Sequence, residues 1–198
     1  MFASAAGRLT VLLLAGLSAA VAANAAPAAS KPPFVGPTIE HPSIAPDFAL
    51  RDQQGRVVRL SRQRGKVVMI TFLYTHCPDA CPLTATHLND TLGSLGSLRK
   101  NVVVLAVSVD PKGDTPSAVG TFVRSHRLRP QFHYLTGSTK ALERVWRLYN
   151  VSAVRKGGPD VDHTLYTLVL DRSGKSRVLF DSLAKPAAME HDVRLLLT

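Results

Sequence analysis

Cysteine is nearly absent from this 198-residue chain: there are two, Cys77 and Cys81. So few thiols exclude a disulfide scaffold. They also leave no third or fourth cysteine for a structural zinc site. Acidic residues are scarce as well, 14 against 24 Lys plus Arg, which gives a net charge of +10. The basic residues are scattered, with Arg51, Arg56, Arg59, Arg62 and Arg64 in one stretch and Arg124, Arg127, Arg129, Arg144 and Arg147 in another. Aromatics make up only 6% of the chain and never interleave with these arginines, so single-stranded nucleic acid is not an expected partner. A basic surface of this kind is a solvated face, or it attracts an acidic partner or anionic lipid headgroups. There are no internal repeats.

The chain opens on a secretory layout. Arg8 precedes an apolar stretch from Leu9 to Leu17, and Ala23-Asn24-Ala25 offers an A-x-A cleavage pattern. The apolar segment falls short of the roughly 20 residues that span a bilayer. Residues 1–25 are therefore expected to be a signal peptide, with an uncleaved anchor as the alternative. Residues 26–45 carry Pro27, Pro32, Pro33, Pro37 and Pro42 without periodicity and read as a proline-rich tether. The remainder, 46–198, is long enough for one domain with a full core.

Within that domain, residues 46–51 and 57–60 flank a turn at 52–55 and suggest a hairpin. Residues 67–73 and 101–109 are continuous apolar runs without alternation, as buried parallel strands read. Pro82 suits the first turn of a helix, placing a helix start at about Cys81–Pro82. Asp114-Thr115-Pro116 marks another, and residues 138–149 a third. A short strand is expected at 132–135, a mobile loop at 155–160, an antiparallel pair over 164–171 and 176–180, and a last helix at 186–197. The order β-α-β-α-β-α-β-β-α around a mixed sheet, with two cysteines after the first long strand, predicts an α/β thioredoxin-like fold with an added N-terminal hairpin.

Cysteines at the mouth of a helix have a chemical consequence. Free amides and the positive end of the helix dipole favour thiolate, the form that binds metal or attacks disulfides. The i, i+4 spacing places both sulfurs on one side, about 6 Å apart at Cα, inside the range a disulfide tolerates. Disulfide and metal clamp both stay open on spacing alone.

Tyr74-Thr75-His76-Cys77-Pro78-Asp79-Ala80-Cys81-Pro82 resembles the signature of the Sco/SenC copper proteins, which serve assembly of the copper centre of cytochrome oxidase. Residues 107–115, with Asp110-Pro111-Lys112-Gly113-Asp114-Thr115, and Asp162-His163-Thr164 agree with it in order and distance. The resemblance covers about residues 40–197. It implies that Cys77, Cys81 and His163 bind copper, as Cu(I) or Cu(II). It also implies that Asp110 sits near the site, and Asp79, inside the motif, is expected beside the ligands too. Two thiolates and an imidazole are a soft set suited to copper. His163 also stands where thioredoxin-like oxidoreductases place a cis-proline, and a donor there favours a metal over a substrate peptide. The other histidines carry no such pattern: His76 is expected to be structural or to support the ligands from behind, His87 to lie at the surface, and His41, His126, His133 and His191 to be solvated. Met69 and Met189 read as core.

The expected function is an exported copper chaperone acting on subunit II of cytochrome c oxidase. It would be periplasmic, soluble or tethered to the inner membrane through its N-terminus, and served by a copper donor or a thiol reductant. The alternative is a thiol–disulfide reductase with Cys77 attacking and Cys81 resolving. A peroxidase is a poor fit, because Tyr74 stands where such sites carry Thr or Ser.

Overall fold

The computed structural model describes residues 1–2, 33–155 and 160–198. The chain divides into two units, Met1–Ser30 and Lys31–Thr198, and the second carries the strands and helices. The signal or anchor expected over 1–25 falls, apart from its first two residues, outside the described residues. Among those described, no helix is long and apolar enough to cross a membrane.

The two continuous apolar runs become neighbouring central strands. β3 (Val67–Leu73) and β4 (Val102–Ser108) pair in parallel, Val67 opposite Val102, and every residue of both is buried. A strand covered on both faces has no solvent side to alternate with, which is why neither shows a period of two. β5 (Phe132–Leu135) adds in parallel to β4, while β8 (Tyr166–Leu170) and β9 (Ser176–Asp181) add antiparallel on the far side of β3. The sheet order is β5-β4-β3-β8-β9. Helices α1 (Ala80–Ser94), α2 (Pro116–Ser125), α3 (Thr139–Leu148) and α4 (Pro186–Leu197) complete the chain order. β1 (Ala49–Arg51) and β2 (Val57–Arg59) form the expected N-terminal hairpin. The architecture is thioredoxin-like.

Residues 33–45 lie along the sheet edge. Thr38 bridges to Val178 and Ile44 to Lys175. The N–H groups of Val35 and Gly36 donate to the two carboxylate oxygens of Asp192, at 2.8 and 2.9 Å, and Asp192 is fully buried on α4. Gly36 is required here, because a Cβ would lie 2.4 Å from the Phe180 ring.

Three local expectations change. α1 begins at Ala80, one residue earlier than expected, with Asp79 as its N-cap. The cap of α2 is Thr115, whose hydroxyl accepts from Ala118 N–H. Asp114 turns inward instead. The expected loop at 155–160 begins as strand: β6 (Ala153–Arg155) pairs antiparallel with β7 (Val161–His163) in a two-stranded sheet of its own.

Four histidines expected at the surface are half-buried, each with a partner. His133 Nδ1 sits 3.2 Å from Asp52 and His87 Nδ1 3.0 Å from the Ala184 carbonyl. His126 Nδ1 meets the Phe122 carbonyl and His191 Nδ1 the Asp192 carboxylate, both at 2.8 Å. His41 is exposed as expected, His76 is exposed as well, and Met69 and Met189 lie in the core.

Candidate metal centre

β3 ends at Leu73, and the chain turns through Tyr74 to Asp79 into α1. Cys81 is buried inside the first turn and Cys77 half-buried before it, and both are free thiols. Cys81 N–H donates to Cys77 Sγ at 3.3 Å. Cys77 thus collects what a helix start offers. The Cys81 thiol donates to it, the backbone amides of Cys81 and Asp79 point at it, and the Tyr74 hydroxyl adds another donor. Against partial burial, these hold its thiol down to about 5. Cys81 moves the opposite way. Its proton is engaged by Cys77, and burial and the nearby Cys77 and Asp114 charges push its pKa far up, opposed only by the Tyr74 backbone amide.

His163 closes the site from β7. Its Nε2 lies 3.7 Å from Cys81 Sγ and its Nδ1 3.0 Å from the Thr164 carbonyl. A carbonyl only accepts, so Nδ1 carries the proton and the Nε2 lone pair faces the cysteines. Burial lowers the imidazole's pKa, outweighing the Thr164 carbonyl and the Cys77 charge, and keeps the ring neutral. The Tyr74 ring packs edge-on to it, centroids 5.6 Å apart. The three expected ligands are therefore neighbours. They do not yet converge: among the described residues no three His, Cys, Asp or Glu side chains close on a common point able to hold a metal ion. Cys77 faces the helix amides, and Cys81 is still protonated.

Asp110, at the end of β4, is buried, accepts Gly113 N–H at 3.0 Å and is ion-paired with Arg155. Burial alone would raise its pKa, but Arg155 and the Gly113 and Lys112 amides hold it below the usual range. Asp79 serves through its backbone; its side chain is exposed and makes no capping bond.

Sequence reasoning missed Tyr74, Asp114 and Arg155. Asp114 is buried and accepts from Thr75 N–H and Oγ1 at 2.8 Å each, Ser108 Oγ at 2.6 Å and Tyr134 Oη at 3.0 Å. It fastens the loop that carries Cys77 to β4 and β5. Burial pushes its carboxyl up against these four hydrogen bonds. The available signal was the second aspartate of Asp110-Pro111-Lys112-Gly113-Asp114, beside a threonine that can cap the helix unaided.

Chemically, the arrangement offers one thiolate, one thiol and one neutral imidazole, a donor set suited to a soft or borderline ion such as copper. The structure of ScoI from Bradyrhizobium japonicum with copper bound is 31% identical, with a TM-score of 0.68 over 77% of this chain and 98% of that one. The SCO2-like protein of Rickettsia conorii is 29% identical over 138 residues, 67% of this chain. The match spans 66% of that relative's length. BsSco, described as a member of the Sco family of cytochrome c oxidase assembly proteins and studied for a disulfide switch, shares the fold at 22% identity. Its TM-score is 0.66 over 79% of this chain and 95% of its own. The sequence profile of SCO1/SenC matches from residue 36 to residue 198, so the chain belongs to the SCO1/SenC family.

Proposed function

We propose that the protein is an exported copper chaperone that takes copper through Cys77, Cys81 and His163 and delivers it to the dinuclear centre on subunit II of cytochrome c oxidase. The observation that carries this reading is the pairing of Cys81 Sγ with the lone-pair nitrogen of His163 at 3.7 Å, one helical turn from a thiolate. Loading would take the Cys81 proton and draw Cys77 off the α1 amides, and the imidazole is already in the ligating tautomer. Copper-bound ScoI supports the choice of metal. The signal layout supports a periplasmic place, free or tethered to the inner membrane, supplied by a copper donor or a thiol reductant there.

Titration of the reduced full chain with Cu(I), followed by native mass spectrometry, tests the reading. One copper per chain is expected, lost in Cys77→Ser and Cys81→Ser and weakened in His163→Ala. Absence of copper, or binding indifferent to all three substitutions, refutes it.

A second reading is favoured by the asymmetry of the thiols. An accessible thiolate before a buried protonated thiol is the arrangement of an attacking and a resolving cysteine. As a reductase, Cys77 would open a target disulfide and Cys81 would release the target dithiol, leaving a Cys77–Cys81 disulfide. In cells, rescue of a Cys77→Ser oxidase defect by reductant and not by copper would select this reading.

A further inference from the structure

His163 is carried by a piece of structure that the main sheet does not hold. β6 and β7 are three residues each and pair in a two-stranded sheet of their own, and an isolated hairpin of that size is marginal. Ala153 stands opposite His163 and Arg155 opposite Val161. With a side-chain period of two, these four share one face, and Val154 and Asp162 share the other. Burial agrees at Val161, 7% exposed against 50% for Val154 on the solvent face with Asp162, while Arg155 at the strand end stays exposed and reaches in through its guanidinium. The inward face therefore bears the imidazole at one end and the Arg155 guanidinium at the other.

Apolar packing holds that face only at Val161, which joins the core, and at Ala153, which packs against it. A cavity of about 160 Å³ lies beneath it, lined by Val109, Asp110, Trp146, Ala153, Arg155 and Val161 among others. The polar contacts are better defined. The Tyr74 hydroxyl reaches the Val161 backbone, and Arg155 pairs with Asp110. Asp110 is a rigid anchor, 3% exposed and held by Gly113 N–H. A Cβ on Gly113 would lie 2.1 Å from Asp110 Oδ2, so glycine is what admits the carboxylate.

We propose that Arg155 is a positioning residue of the metal centre: its ion pair with Asp110 clasps the β6–β7 hairpin to the end of β4 and so presents His163 to the cysteines. This rests on His163 being a copper ligand. Loss of the clasp leaves both thiols and the fold intact but lets the imidazole swing away.

The charge of Arg155 works against its positional role, which makes the test decisive. Removing a cation near a cation-binding site favours binding, whereas releasing the hairpin weakens it. Cu(I) affinity of the reduced full chain, measured by competition with a chromophoric chelator, is expected to fall roughly 10- to 100-fold in Arg155→Met, the range for residues that orient ligands. Arg155→Lys keeps a shorter cation and should recover most of the loss. In a His163→Ala background, Arg155→Met should weaken binding no further. The thiolate-to-copper(II) charge-transfer band of Arg155→Met should move toward that of His163→Ala, a change that general loosening of the fold does not produce. Gly113→Ala, which displaces Asp110, should reproduce the Arg155→Met affinity. Unchanged or tighter binding in Arg155→Met, or losses that add in the double variant, overturns the proposal. If His163→Ala alone leaves affinity unchanged, the ligand assignment itself has failed.

Discussion

Alkylation of Cys77 as a function of pH tests the electrostatics of the site directly. With its thiol held near 5, Cys77 is almost wholly thiolate at pH 7, against about 3% for an ordinary thiol of pKa about 8.5. That is roughly a 30-fold advantage in reactive species. Nucleophilicity falls with pKa at a Brønsted slope of about 0.4–0.5, so 3.5 units cost roughly 25- to 55-fold. The two effects nearly cancel, and rates at neutral pH say little. At pH 5.5 they separate. Cys77 is still about three-quarters ionised while the ordinary thiol is about 0.1% ionised, so roughly 20-fold faster alkylation remains after the nucleophilicity correction. The assay is iodoacetamide labelling of the reduced chain from pH 4 to 9 with peptide mass spectrometry. Cys77 should give a profile half-maximal near pH 5, and buried Cys81 should stay unlabelled. Cys81→Ala removes the leading donor to Cys77, so it should shift the midpoint upward by more than Tyr74→Phe does. The linkage has the sign of a depressed acid: this thiolate stabilises the fold above about pH 8.5, and the contribution is lost as pH falls through 5. A Cys77 midpoint between pH 8 and 9, or equal labelling of both cysteines, would refute the account.

Two further outcomes follow from the protonation states and from the buried carboxylate. Copper(I) binding at pH 7 should release about one proton, that of Cys81, since Cys77 is already ionised and His163 neutral; calorimetry in buffers of different ionisation enthalpy counts it, and two protons would contradict the ionised Cys77. Asp114→Asn should cost only about 1 kcal/mol in urea denaturation, because the Ser108 and Tyr134 hydroxyls can turn to accept from the amide. Asp114→Leu should cost about 3–5 kcal/mol by orphaning Thr75 N–H and those hydroxyls, and equal losses in the two variants would sink the argument.

Much of this was legible in the residues. The apolar runs of β3 and β4 announced a parallel centre because nothing in them marked an exposed face, and the motif spacing pointed to Cys77, Cys81 and His163, which the fold makes neighbours. What stayed hidden depends on partners distant in sequence. Asp114 looks like a helix cap until Tyr134, 20 residues on, claims its carboxylate. Three-residue strands are too short to show a period, so β6 and Arg155 read as loop. His87 and His133 differ from exposed histidines through the Ala184 carbonyl and the Asp52 carboxylate that the fold brings to them.

The fastening of Val35 and Gly36 to Asp192 joins the start of the described domain to its last helix. The turn at 171–174 that flanks this segment sits beside Gly65, before β3, where Gly65 N–H donates to the Arg172 carbonyl at 2.8 Å. The cysteines follow the other end of β3, seven residues and roughly 20 Å away. The fastened segment runs beside β9, from Gly36 against Phe180 to Ile44 opposite Lys175. A load carried by residues 33–45 falls on Asp192 and β9, elements that hold none of the three expected ligands.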